Sequence, residues 1–240
     1  MLNVMWVFPL VAAVLAAAFS GLVAKLYVAR RRPHQLAWVL ALAMYAVASI
    51  TVVFGMAGGW TPRAFQLYWA LGAVLNVPFL AGGELMLLVR NPKVQAACWI
   101  VLVFTTAYTV SVLRGASFDA GALAADLPSG RGVFGEGSAA QRLPQLISTP
   151  SYLVLVAGAL WSAWRVRGRP ELRDRFVGTL LIALGATVIA GFGSYFAFHG
   201  NAAAFSVALA TGIAVMFLGF VRAGRRAAVP AEGTTSASRA

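Results

Sequence analysis

Glu84 is the ionisable residue that most demands an explanation, because it lies within the apolar stretch "NVPFLAGGELMLL". A lone carboxylate at the centre of a bilayer costs about 2.5–3.5 kcal/mol on insertion scales. Glu84 precedes Arg90 by six residues, which is about 9 Å of helix rise. Lys25 precedes Arg30 by five residues and should lie at a similar depth, which predicts a Glu84–Lys25 ion pair. His34 is the alternative partner, and without a partner burial would keep the carboxyl group protonated.

The same stretch contains the residues that break a regular helix. Pro78 removes one backbone hydrogen bond and predicts a kink near the middle of the segment. Gly82 and Gly83 either allow another helix to approach closely or allow the helix to bend, so we take Pro78, Gly82 and Gly83 as a candidate hinge. Asn76 lies beside the break, and irregular backbone at this depth is tolerated where protein or a water-filled cavity lines it.

Two interpretations of these residues remain open. In the first, Glu84 and Lys25 form a structural lock and the proline kink serves packing. In the second, Glu84, Asn76 and Tyr68 line a path for a solute or for protons. Replacing Glu84 by Gln would separate the two, because a lock predicts loss of folded protein and a path predicts altered transport.

Several familiar chemistries are disfavoured by the sequence. Haem bound between helices needs axial histidines that face each other, and the two histidines, His34 and His199, fall at opposite span ends. A retinal Schiff base needs a lysine deep in a helix, and the last span has none. No clustered metal ligands and no nucleophile–base pair are visible in the sequence. We therefore expect no cofactor, no bound metal and no enzymatic activity.

The composition indicates that the chain is embedded in a lipid bilayer. Of its 240 residues, 60% are hydrophobic and only 11% are charged, whereas soluble domains carry about a quarter charged residues. Apolar runs recur that are long enough to cross a hydrocarbon core of about 30 Å. The sequence thus predicts an all-α, polytopic membrane protein whose seven spans cover approximately 4–27, 35–57, 65–89, 95–113, 147–165, 176–198 and 202–221.

The positions of the basic residues predict the orientation. The net charge of +12 does not indicate nucleic-acid binding, because lysine and arginine lie in short clusters between the spans. With the N-terminus outside, the inner side holds 15 of these residues and the outer side holds 4, which is the positive-inside pattern. We expect a multi-pass protein of the plasma (inner) membrane with its C-terminus inside. Its partners would include anionic headgroups that contact Arg30, Arg31, Arg32, Arg222, Arg225 and Arg226.

Two segments outside the spans lead to further expectations. The outer loop, at about 114–146, is rich in Gly, Ala and Ser, so we expect a mobile connector with at most one short helix; a lid or a binding loop is the alternative. The tail at 223–240 is expected to be disordered, which leaves 1–222 as the seven-helix domain.

Small residues and repeated turns predict how the spans pack. Ala13, Ala17 and Gly21 are spaced four apart in the first span, and Lys25 continues that stripe, so we expect Lys25 to face the bundle. The segments 30–55 and 167–193 resemble each other, because each places an arginine-rich turn and a proline before a helix. This similarity predicts a parallel 3+1+3 pseudo-repeat, although positive-inside turns also resemble one another without a repeat.

Four phrases together carry a resemblance to a known group: "RRPHQLAW", "YWALGAVLNVPFLAGGELMLL", "LVAGALWSAWR" and "LLIALGATVIAGFGSYFAFHG". The set resembles a group of uncharacterised seven-helix membrane proteins of high-GC bacteria, over nearly the full chain. A more distant likeness is to the seven-helix sensor region of some histidine kinases. Neither resemblance implies a reaction.

Two function classes follow from these observations. The first is a transporter or conduit for a small solute or protons that uses the kinked third span. The second is a non-catalytic sensor or interaction module that signals to a partner at its basic inner face. A buried polar cavity that reaches Glu84 would favour the first class, and a dry, tightly packed interior would favour the second.

Overall fold

The predicted all-α fold with seven membrane-spanning helices is confirmed. The structure is a computed structural model and describes residues 4–169 and 172–224. Seven of its helices are long and apolar enough to cross a membrane. We call them spans 1 to 7: Val7–Arg30, Pro33–Gly58, Pro62–Leu88, Pro92–Arg114, Ala139–Val166, Arg173–Phe198 and Ala202–Gly224. A 3-10 turn, Val4–Trp6, precedes span 1.

Proline marks the start of three of these helices. Spans 2, 3 and 4 each begin with proline, a position where its missing N–H costs nothing and its fixed φ suits the helix. The Thr61 hydroxyl oxygen accepts a hydrogen bond from the Ala64 N–H at 3.2 Å, and the Asn91 side-chain oxygen accepts one from the Lys93 N–H at 2.9 Å. These caps satisfy backbone donors that the first helical turn leaves open.

Three spans contain a π-helical segment, in which each turn holds one extra residue. The segments are Trp69–Leu75 in span 3, Pro144–Ser148 in span 5 and Val188–Gly193 in span 6. Such segments are rare and are found frequently at functional sites. In span 3 the π segment ends just before the predicted hinge residue Pro78, so the irregular backbone begins further out than the proline alone indicates.

The outer loop, expected to be a mobile connector, packs against the spans in the structure, and its mobility stays a prediction. Span 5 begins at Ala139 rather than at 147, and the preceding loop contains a 3-10 turn, Ala122–Ala124, and a short helix, Gly130–Phe134. Leu123, Leu127 and Val133 of the loop are buried. The average composition of the loop did not indicate this packing, because only a few well-spaced apolar residues anchor the loop to the spans.

The spans form a ring in which each helix packs against its neighbours in the order 1, 2, 3, 5, 6, 7 and back to 1. Span 4 packs on the outside of this ring, mainly against span 3. The packing of spans 1, 2 and 3 is therefore matched by that of spans 5, 6 and 7, and the 3–5 contact is matched by the 7–1 contact. This pattern is compatible with the predicted 3+1+3 pseudo-repeat, which stays a prediction.

The expectation that Lys25 faces the bundle is wrong. The buried face of span 1 is formed by Ala12, Ala16, Phe19, Ser20 and Val23, whereas Ala17, Gly21 and Lys25 are exposed. A helix has 3.6 residues per turn, so positions four apart rotate by about 40° at each step. Over three steps the stripe that begins at the buried Ala13 turns away from the bundle.

Candidate functional site

A cavity of about 690 Å³ lies between the outer halves of spans 2, 3, 5, 6 and 7. "Outer" here denotes the side that the basic residues predict to face out. Its walls carry Ser49 and Tyr45 of span 2, Tyr68 and Asn76 of span 3, and Tyr152 of span 5. The outer loop contributes its upper rim. The volume falls within the 300–1,000 Å³ range typical of small-molecule sites.

All three π segments border this cavity. Trp69, Gly72 and Ala73 line it from span 3, Pro144, Gln145 and Ser148 line it from span 5, and Ile189, Ala190, Gly191 and Gly193 line it from span 6. The extra residue in a π turn widens the helix locally and leaves backbone carbonyl groups without their usual donors. The irregular backbone is therefore concentrated around the hollow part of the bundle.

Ser148 supplies the donor that Pro78 lacks. An N–H at position 78 would serve the Val74 carbonyl in an α-helix and the Ala73 carbonyl in a π-helix. Pro78 has none, and the Ser148 hydroxyl lies 2.9 Å from the Val74 oxygen and 2.7 Å from the Ala73 oxygen. The break in span 3 is therefore stabilised by a side chain of span 5, at the edge of the cavity.

Three polar side chains of the cavity wall have unused hydrogen-bonding capacity. Asn76 is only 3% exposed, and its side-chain oxygen has no hydrogen-bond partner. The hydroxyl groups of Tyr68 and Ser49 also make no hydrogen bond to the part of the chain that the structure describes. Because a buried polar group without a partner costs about 1–3 kcal/mol, the Asn76 side-chain oxygen is a candidate contact for a ligand or water.

The floor of the cavity is closed by two hydrogen bonds between spans. The Tyr45 hydroxyl donates to the Leu209 carbonyl at 3.0 Å, which joins spans 2 and 7. The Tyr152 hydroxyl donates to the Thr187 hydroxyl at 3.0 Å, which joins spans 5 and 6. A second cavity of about 30 Å³ continues below Asn76 among apolar side chains that include Leu80, Leu155 and Met216.

Glu84 lies deeper than both cavities and lines neither of them. It is buried, and the Ser162 hydroxyl donates to its Oε1 at 3.2 Å. Gly158, one turn before Ser162, leaves the space for Glu84, because a Cβ at position 158 would lie 2.7 Å from Glu84 Cγ. The partner of Glu84 is therefore a hydroxyl group of span 5.

The predicted Glu84–Lys25 ion pair is not formed in the structure. Lys25 is exposed on the outside of the bundle, and no salt bridge joins it to Glu84. Lys25 and Glu84 can form an ion pair only if they lie at the same depth and both side chains point into the bundle. The rotation of span 1 turns Lys25 away from the bundle. Of the four residues proposed for a polar path or a buried ion pair, the structure thus brings Asn76 and Tyr68 together at one cavity and leaves Glu84 and Lys25 outside it.

The predicted hinge glycines allow close helix contacts. A side chain at Gly83 would collide with the indole of Trp38 in span 2, and the Trp38 Nε1–H donates to the Leu80 carbonyl at 3.2 Å. A Cβ at Gly82 would lie 3.0 Å from Leu102 of span 4. These glycines therefore allow other helices to approach closely, as one of the two expectations had it. Their role as a hinge stays a prediction.

The outer loop is anchored at the rim of the cavity by aromatic residues. Phe134 packs against the rings of Phe65 and Trp69 at centroid distances of 5.5 and 5.6 Å. The Trp69 Nε1–H donates to the Ala140 carbonyl at 3.0 Å, and a side chain at Gly130 would collide with the Trp69 ring. The loop thus packs closely on span 3 and forms part of the cavity wall.

Arg131 is the charged side chain among the residues that line the cavity. Its guanidinium group lies over the Phe198 ring of span 6 at 5.3 Å and pairs with Glu136 at 3.5 Å. Both partners in this ion pair are largely exposed, so the pair contributes little to stability. The Arg131–Phe198 contact spans the outer end of the cavity from the loop to span 6.

The inner basic residues lie apart from the cavity. Arg30, Arg31 and Arg32 are exposed in the turn between spans 1 and 2. Arg222 pairs with Asp174 of span 6 at 3.5 Å. Arg225, Arg226 and the remainder of the tail lie outside the described residues, and contact between any of these arginines and headgroups stays a prediction.

Comparisons with protein-family models, with curated proteins and with solved structures give no match. The function must therefore be inferred from the geometry of the cavity.

Sequence reasoning missed the contribution of span 5. Ser148 and Tyr152 hold the break in span 3 and the floor of the cavity, and neither was singled out. A signal was present in "LPQLISTPSY", where two prolines and four hydroxyl-bearing residues interrupt an apolar span, as the polar stretch of span 3 does. No feature of the sequence distinguishes Ser49 or Tyr45 from ordinary buried residues.

Proposed function

We propose that the protein binds a small uncharged or anionic solute in the outer cavity and carries it across the membrane. The observation that carries this proposal is a cavity of ligand size that reaches the middle of the bundle and ends at Asn76, whose side-chain oxygen has no partner.

The lining supports the solute class. Hydroxyl, amide and aromatic groups supply orientation and contact area, as in most small-molecule sites. Among the lining residues of the cavity no Asp or Glu is found, and Arg131 provides a positive charge at the outer end. A cationic solute would therefore lack a counter-charge. A proton path through Glu84 is not supported, because Glu84 lies outside the cavity.

The backbone of the site supports movement. A carrier must expose the same site to each side in turn, and the segments that rearrange need backbone that tolerates a change of conformation. The cavity is bordered by three π segments, one of them followed by Pro78. A shift of a π segment along its helix changes the rotation of the residues beyond it without breaking the span.

A sensor is the second candidate, and one observation favours it. The floor below Asn76 is closed by the Tyr45 and Tyr152 hydrogen bonds. A site that never opens inward would bind its ligand from outside and report binding through helix movement to a partner at the inner face.

Cysteine accessibility tests both candidates without knowledge of the solute. Cys98 is the one cysteine of the chain, so Ser49→Cys in a Cys98→Ala background places a single thiol on the cavity wall. A membrane-impermeant maleimide is added to vesicles of right-side-out or inside-out orientation. Thr109→Cys is the matched control, because Thr109 is fully buried in span 4 and does not line the cavity.

The two directions of labelling give three distinct outcomes. A carrier predicts labelling of Ser49→Cys from the outside and also, more slowly, from the inside, while Thr109→Cys stays unlabelled. Labelling from the outside alone supports the sensor and overturns the carrier. Absence of labelling from both sides would show that water does not reach the cavity and would overturn both.

A further inference from the structure

The cavity has an opening at its side, between the outer halves of spans 5 and 6. The inner halves of these spans, Thr149–Val166 and Arg173–Thr187, pack together. In their outer halves the π segment of span 5 packs on span 3, and that of span 6 packs on span 7. Lining residues of both spans are also exposed: Gln145 and Thr149 of span 5, and Gly191 and Ser194 of span 6. Exposed lining residues beside the gap between these half-spans are the basis for placing the opening there.

This opening lies at the depth of the outer lipid leaflet. Thr149 and Gly191 each lie 16 residues from an arginine predicted to mark the inner boundary, Arg165 and Arg175 respectively. At 1.5 Å per residue this separation is about 24 Å, within a hydrocarbon core of about 30 Å. The sides of the opening carry large exposed apolar groups, among them Leu146 and Phe192 at 64% and 58% exposure.

The interior that this opening leads to carries uncharged polar side chains among apolar ones, and the charged lining residue, Arg131, lies at its outer end. The buried side-chain oxygen of Asn76 has no hydrogen-bond partner, and Tyr68 and Ser49 also line the cavity. A ligand hydroxyl both donates and accepts and therefore matches a side-chain amide. A water-soluble solute gains nothing from an opening into hydrocarbon, whereas a molecule with a polar head and an apolar tail fits both environments at once.

We propose that the cavity receives the uncharged, hydroxyl-bearing headgroup of an amphiphile from the outer leaflet, while its tail stays in the lipid between spans 5 and 6. This proposal rests on the proposed function of the cavity as a solute site and names the class of solute. The headgroup passes Thr149 and Ser194 and reaches Asn76. The tail lies against the apolar side chains that flank the opening.

Photolabelling with an alkyl glucoside that carries a diazirine in its chain tests the proposal. The full-length protein is reconstituted in vesicles of phosphatidylethanolamine and phosphatidylglycerol, and adducts are mapped by mass spectrometry. We expect adducts on the outer halves of spans 5 and 6. Excess unlabelled alkyl glucoside should displace the probe, and free glucose should not.

Two variants and one control locate the site. A Cβ at Gly191 meets no atom within 4 Å, so Gly191→Phe should fold and narrow the opening. Gly21→Phe is the matched control, because Gly21 is equally open on the exposed face of span 1. We expect labelling to fall at least about fivefold in Asn76→Leu, which is the effect of losing one hydrogen bond or more, and to fall in Gly191→Phe because the phenyl ring blocks the opening. Gly21→Phe should label like the parent protein.

The outcomes separate this proposal from the proposed function. Displacement by free glucose, with loss of labelling in Asn76→Leu but not in Gly191→Phe, would show a cavity filled from water; it would overturn the amphiphile and leave the solute site intact. Labelling that neither variant changes, or absence of competable labelling, would overturn the amphiphile as well. Size-exclusion profiles of the variants establish that each is folded.

Discussion

Two buried polar residues of span 3, eight positions apart, have opposite environments. Glu84 has a hydroxyl partner in Ser162 and a fitted space beside Gly158, which is the environment of a structural residue. Asn76 has an unpartnered side-chain oxygen beside two cavities, which is the environment of a binding residue. The sequence drew attention to Glu84 because a carboxylate in hydrocarbon is costly, but the unused hydrogen-bonding capacity lies at Asn76.

At the residue scale, Ser148 offers the most direct test of how span 3 is stabilised. Ser148→Ala removes the donor that both the Ala73 and Val74 carbonyls share. We expect the free energy of unfolding to fall by about 1 kcal/mol, since hydrogen bonds between membrane helices have modest net values. Unfolding in mixed micelles by titration with dodecyl sulfate measures the change.

Ser151→Ala is the control for Ser148→Ala. The Ser151 hydroxyl donates to the Ile147 carbonyl at 2.7 Å within its own helix, so its removal should change the unfolding free energy by only a few tenths of a kcal/mol. Equal effects of the two substitutions would contradict the assignment of Ser148 as the partner of the break at Pro78.

At the element scale, span 3 shows what a sequence can and cannot predict. Pro78 predicted irregular hydrogen bonding in span 3, because a missing N–H is a property of the residue itself; the kink at Pro78 stays a prediction. The π segment Trp69–Leu75 was not predictable, because it depends on a donor from span 5. The same limit explains Lys25: hydropathy gives its depth, but the rotation of span 1 is decided by the packing of Ala12, Ala16 and Phe19 against other spans.

The outer loop is the second element whose structure depends on distant contacts. Phe134 is nearly fully buried and packs on Phe65, Trp69 and Phe118. Phe134→Ala should release the loop at 115–138, since removal of a buried phenylalanine costs about 3–5 kcal/mol. Amide hydrogen exchange of the full-length protein in detergent should increase across this loop and change little in spans 1 and 2.

Phe104→Ala provides the comparison for Phe134→Ala. Phe104 is 69% exposed on span 4, where it faces the surroundings of the bundle, so its truncation should leave exchange in the outer loop unchanged. Exchange of the loop that is already complete in the parent protein would contradict the packed loop and restore the expectation of a mobile connector.

At the scale of the whole molecule, the bundle is hollow in its outer half and close-packed in its inner half. The seven spans followed from hydropathy, because hydropathy is a sum over many residues, whereas the orientation that the charges indicate stays a prediction. The position of the cavity did not follow, because it results from three π segments that meet on different helices. For a carrier, this asymmetry means that inward opening must separate helices of the inner half. Among the described residues, spans 6 and 7 share the most extensive helix–helix contact.

Glycine residues allow spans 6 and 7 to pack this closely, so replacing one of them should destabilise the whole protein rather than affect one site. Positions 178 and 219 place backbone against backbone, as do Gly185 and Gly212: a Cβ at Gly185 would lie 2.5 Å from the Gly212 carbonyl oxygen. Because backbone cannot yield as a flexible side chain does, Gly185→Val should force spans 6 and 7 apart, at a cost of about 1–3 kcal/mol or more. We expect a lower yield of monodisperse protein and a lower melting temperature in detergent.

Gly21→Val, at a glycine with open space around it, should behave like the parent protein. A Gly185→Val protein with an unchanged melting temperature would show that the inner halves of spans 6 and 7 are loosely joined, and the inner barrier of a carrier would then have to lie between other spans.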